Sequence, residues 1–98
     1  MKRTKNYVET SNQTELAKLL GLSSAQEVRI RIRNDLVLAI SRCLEEQDLT
    51  HAEAAKKTGV GRTIITAVVN GNISKISTDR LLEIADNLGL TIKFKIAS

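Results

Sequence analysis

The sequence predicts a mostly α-helical fold, five helices closed by one C-terminal β-strand. Three observations carry that expectation. Proline is absent from the 98 residues, which suits long helical stretches. Apolar residues recur every three or four positions behind side chains able to cap a helix. Leu90-Thr-Ile-Lys-Phe-Lys-Ile96 alternates strictly between apolar and polar, as a half-buried strand does.

The elements follow in order. Residues 1–11 are polar, carry Lys2, Arg3 and Lys5, and read as a flexible basic tail. The alternative for this tail is an arm that touches phosphates or a partner protein. A single domain then occupies 12–98. Asn12-Gln-Thr-Glu15 has capping-box spacing; Leu16, Leu19 and Leu20 share a face, and Gly21 stops this first short helix. Ser24-Ala-Gln-Glu27 is a second capping box. Behind it Val28-Arg-Ile-Arg-Ile-Arg33 alternates like a strand, but Val28, Ile32, Leu36, Ile40 and Leu44 recur every four residues. The longer pattern predicts a helix over about 25–46. Arg29, Arg31 and Arg33 oppose the macrodipole at its N-terminal end, which suggests that they serve a partner or carboxylates elsewhere. After two short segments at 50–71, Ser77 or Thr78 caps a last helix, with Leu81, Leu82, Ile84, Ala85 and Leu88 on its buried face and Gly89 at its end. The strand at 90–96 has no evident partner in the sequence, and a lone apolar strand tends to pair with another chain.

Composition excludes several classes of function. A chain of this length holds one small core. Its formal charge of +4 favours a polyanionic partner. Tyr7 and Phe94 are the only aromatic residues, too few for the stacking platforms that grip single-stranded nucleic acid. One cysteine and one histidine exclude an internal disulfide and any multi-histidine metal site. Glu45 and Glu46 have no nucleophile or histidine beside them, so no enzyme activity, metal or cofactor is expected. No apolar run reaches membrane-spanning length, and no apolar signal segment follows Met1, so a cytoplasmic location is expected.

Residues 50–71 concentrate the functional signal. Thr50 caps a short helix that Gly59 ends; a second starts after Gly61 and ends at Gly71. Ala55 is small enough for a close helix crossing, Ala54 supplies an apolar position on the first helix, Gly59 tolerates positive φ, and Val60 can plug the turn. Ile65 and Val68 give the second helix a buried side. Two positions depart from this pattern: Thr58 stands where an aliphatic side chain would seal the first helix, and Gly61 is a weak cap. Two short helices joined this way in a basic chain form a helix-turn-helix, whose second helix enters the DNA major groove.

Leu49, Thr50, Ala55, Gly59, Val60, Ile65 and Gly71 match the spacing of Cro/C1-type (XRE) helix-turn-helix regulators, and the sequence resembles that family over about 34–90. The segment from Asn12 to Leu22, the run Arg80-Leu81-Leu82 and the terminal strand resemble a subgroup of small HigA-like antitoxins. The resemblance implies a lambda-repressor-like domain and a transcriptional regulator, most simply a repressor, of double-stranded DNA. It places Arg62, Thr63, Thr66 and Ala67 against bases. Arg62 is the leading candidate, because a guanidinium can bond bidentately to guanine; its alternative is a phosphate contact. His51, Lys56, Lys57, Asn70, Gly71, Asn72 and Lys75 are candidate phosphate contacts. The strand, through Leu90, Ile92, Phe94 and Ile96, is the expected dimerisation element, and a homodimer would read a pseudo-palindromic operator. The alternative function is that of an antitoxin which neutralises a small toxin protein directly and regulates its own operon. No membrane partner is expected.

Overall fold

The computed structural model describes residues 7–10 and 24–94. It contains β1 (Tyr7–Thr10), α1 (Ser24–Glu46), α2 (His51–Thr58), α3 (Arg62–Val69), α4 (Thr78–Asn87) and β2 (Thr91–Phe94). Four helices are therefore present among the described residues, not five. The short helix expected at 12–20 lies outside them, as does Ile96.

The contested stretch 28–33 is helical, as the four-residue period predicts. Burial explains why that period wins. Leu36 and Ile40 are wholly buried, and Cys43 and Leu44 nearly so; on a helix these three- and four-residue steps share one side, whereas an extended backbone would turn Cys43 away from the others. α1 ends without glycine. Asp48 adopts φ 54° instead, and the Leu49 N–H donates to Leu44 O at 2.9 Å, closing the last turn.

One core holds the helices together. Leu36 and Ile40 from α1, Ala54 from α2, Ile65 and Val68 from α3, and Leu81, Ile84 and Ala85 from α4 are all fully buried. Val60 plugs the α2–α3 turn, and Leu88 and Leu90 extend the core towards β2. Cys43 is a free, buried thiol whose burial pushes its pKa up, so it behaves as a small apolar side chain. No helix among the described residues is long and apolar enough to cross a membrane.

The terminal strand departs from the sequence reading. It has a partner within the chain: β1 pairs with β2 in parallel, Tyr7 opposite Thr91 and Thr10 opposite Phe94. Four of the eleven residues expected to form a tail are thus strand. The tail is nearly all polar, and a four-residue parallel strand whose partner lies at the far end of the chain carries no hairpin signal. Leu90 is buried and Ile92 half-buried against the chain's own core, so the apolar face of β2 is used internally.

Two tests follow from this packing. Ile40→Ala should cost about 2–5 kcal/mol in chemical denaturation, whereas Leu38→Ala, at a side chain 54% exposed on the same helix, should stay within about 0.5 kcal/mol. Burial raises the pKa of Asp35 above its ordinary 3.8, against the opposing pull of Arg31. The folded chain thus holds this proton to higher pH than the unfolded chain does. Stability from this group falls as pH rises through the folded pKa, and Asp35→Asn should remove that part of the acid-range pH dependence of unfolding.

Candidate nucleic-acid interface

The two-helix unit is built from local bonds that its sequence specifies. Thr50 and Glu53 form a reciprocal capping box: Glu53 N–H donates to Thr50 Oγ1 at 3.0 Å, and Thr50 N–H to Glu53 Oε1 at 2.8 Å. α2 ends at Gly59, whose φ of 79° is left-handed and whose N–H donates to Ala55 O. The irregular Thr58 is buried, and its hydroxyl donates to Ala54 O at 2.7 Å, so its polar group is satisfied where an aliphatic was expected. Asn87 reaches from the end of α4 and donates to Thr58 O at 2.9 Å. Gly61 begins α3 without a capping side chain, leaving that end to water or to another acceptor.

α3 buries Ile65 and Val68 completely and turns its opposite side outward. Arg62 and Thr63 are exposed and Thr66 and Ala67 half-buried, so the four residues assigned to bases share the accessible side of one short helix. α3 ends in a tight turn. Gly71 has φ 78°, its N–H donates to Val68 O, and the Asn72 N–H donates to Ala67 O at 2.9 Å. The backbone donors of Gly71 and Asn72, expected to grip phosphate, are therefore spent on the helix end. The exposed side chains of Asn70 and Asn72 keep their own amide donors at the same place.

The basic residues divide. Lys56 is exposed on α2, and Lys75 is exposed in the loop after α3. Lys57 turns back towards α1, its Nζ 3.1 Å from Gln47 Oε1. His51 lies at the first position of α2, and its Nδ1 is 2.8 Å from Thr66 Oγ1, which joins two candidates placed in separate roles by the sequence.

Arg33 is a positioning residue that the sequence left unassigned. From the middle of α1 its guanidinium donates to Ile73 O at 2.6 Å, to Ile76 O at 2.8 Å and to Thr78 Oγ1 at 3.0 Å. These acceptors span the loop between α3 and the start of α4. The partners expected for this arginine were carboxylates or another molecule; two of them are backbone carbonyls, which no sequence pattern marks. Among the described residues no cluster of histidine, cysteine and carboxylate side chains is arranged to hold a metal ion.

A family model described as a helix-turn-helix domain matches residues 18–97, most of the chain. The chain belongs to that family. No curated protein and no solved structure matches it significantly. The match covers α1 to β2 as well as the two short helices, so α1 and its Arg33 belong to the helix-turn-helix domain itself.

Arg33→Ala should destabilise the chain by about 2–3 kcal/mol, because it strips a charged donor from three acceptors. Arg33→Lys should recover only part of that loss, since an ammonium lacks the planar fork. Denaturation curves, with amide exchange at residues 72–76, check both.

Proposed function

We propose that this helix-turn-helix protein is a sequence-specific regulator of double-stranded DNA, acting as a repressor, with α3 in the major groove. The observation that carries the reading is the division of α3 into a fully buried side, Ile65 and Val68, and an open side that begins with Arg62 and Thr63. A helix so held is rigid and presents small residues around one long cation. A groove floor can approach such a surface closely, and Arg62 can reach the two acceptors of guanine. Thr63 and Ala67 flank it and suit contact with a thymine methyl. Lys56, Lys75, Asn70 and Asn72 surround this surface with donors for phosphate. The chemistry is recognition alone, without a cofactor, and α4, packed behind the motif, stands where the Cro/C1 resemblance implies a closing helix.

Operator reading by a two-fold dimer, with half-sites ~34 Å apart, is part of this proposal. β1 occupies one edge of β2, and among the described residues the two-stranded sheet leaves an outer edge on each strand. The route by which two copies meet is thus an outer edge rather than an unsatisfied β2. In the antitoxin alternative, residues 1–20 or the C-terminal strand would cover a toxin; within those spans the described strands β1 and β2 pair with each other.

Arg62→Ala should weaken binding to a selected duplex by about 1–3 kcal/mol and relax preference at one base pair. Lys75→Ala should weaken selected and random duplexes alike and reduce the salt slope by about one. Equal losses on both duplexes for Arg62→Ala would make it a phosphate contact. Light scattering at micromolar concentration should give the mass of two chains for the free protein and of two chains plus one duplex for its operator complex; a single chain in both conditions would contradict the dimer.

A further inference from the structure

We propose that Thr66 is a positioning residue for a phosphate contact made by His51, rather than a base reader. The assignment rests on the DNA-reading function proposed above and alters the division of labour within it. His51 Nδ1 and Thr66 Oγ1 lie 2.8 Å apart across the α2–α3 junction, and both residues are half-buried. A threonine hydroxyl inside a helix ordinarily donates to the carbonyl four residues back. Thr58 does so, at 2.7 Å. The hydrogen bond of the Thr66 hydroxyl is instead the one to His51.

That difference leaves the Thr66 proton available to the ring. The assignment takes the bond in that direction, with the hydroxyl donating and Nδ1 accepting. Neutral imidazole has one donor and one acceptor nitrogen. With Nδ1 accepting, the ring is fixed as the tautomer that carries its proton on Nε2. The neighbouring Glu53 carboxylate turns one oxygen to the capping box, where it accepts from Thr50 N–H.

Two consequences follow at the interface. Nε2–H is a fixed donor at the start of α2, suited to a phosphate oxygen of duplex DNA. The Thr66 hydroxyl donor is occupied, leaving Arg62 and Thr63 as the polar base readers on α3. Thr66 thereby couples the orientation of the reading helix to a backbone contact made by its neighbour, as an outer partner fixes the tautomer of a metal-bound histidine.

The test has one arm without DNA and one with it. In the free, full chain, long-range proton–nitrogen correlation spectra at a pH where His51 is neutral should show the Nε2–H tautomer. Thr66→Val should give a mixture of both tautomers, and Thr66→Ser should restore the single form. With DNA, Thr66→Val should weaken selected and random duplexes equally, by about three- to tenfold. Thr66→Ser should recover the loss, and in a His51→Ala background Thr66→Val should add nothing. A predominant Nδ1–H tautomer in the free chain overturns the assignment. So does a Thr66→Val loss confined to one base pair and undiminished in the His51→Ala background, which would make Thr66 a base reader. If the unmodified chain binds no duplex at low salt, the phosphate contact falls together with the proposed function; binding with the wrong tautomer removes this assignment alone.

Discussion

The Arg33 guanidinium, anchored midway along α1, ties down the segment that follows the reading helix. Its three acceptors, Ile73 O, Ile76 O and Thr78 Oγ1, run from the middle of the connection after α3 to the first residue of α4. Without a donor from α1, two carbonyls in a part-buried loop would need water, and the start of α4 would lose a side-chain contact. The loop in turn anchors Ile76 in the core and carries Lys75 outward. One charged side chain on the scaffold helix thus holds residues 73–78 between the Gly71 turn that ends α3 and the Ser77 cap that begins α4. The other attachments of the two-helix unit are smaller. Asn87 caps the Thr58 carbonyl from α4, and the apolar contacts of Ala54, Ile65 and Val68 seat the unit on α1 and α4.

This arrangement explains how a motif with irregular residues still forms. Thr58 would weaken an apolar seal, but its hydroxyl bonds to Ala54 O and its carbonyl receives Asn87, so no buried polar group is left to destabilise the turn. Gly61 gives up a side-chain cap, and the Thr50–Glu53 box secures the preceding helix instead. α3 is consequently held firmly on its buried side, at Ile65 and Val68, and its open side, the proposed DNA-reading surface, is sparse. A small surface with one long cation suits specificity summed over two half-sites rather than concentrated in one.

Much of this was legible from local pattern. The α1 period, the Thr50 cap, the positive φ at Gly59, the helix end at Gly71 and the exposed side of α3 all follow from spacing of a few residues, where helical geometry dictates which side chains meet. The features that escaped are long-range or involve backbone acceptors. β1 is four residues with little alternation, and its partner is β2 at the opposite end of the chain. Asp48 ends α1 in a conformation for which glycine is the usual signal. The contacts of Arg33 and the bond between His51 and Thr66 depend on how helices cross, which no local period encodes. At the site, the residues of α3 were readable as a set; the closed backbone donors of Gly71 and Asn72, and the backward turn of Lys57, emerged only from three-dimensional placement.

The account stands or falls on where duplex DNA touches the molecule. Amide and side-chain chemical-shift mapping of the full chain, titrated with a duplex selected from random sequence, tests this most directly. The account predicts the largest changes at Arg62, Thr63 and Ala67, with smaller ones at His51, Asn70 and Asn72, and little change at Leu38 on the outer side of α1. Shifts concentrated on that outer side, with α3 undisturbed, would contradict it.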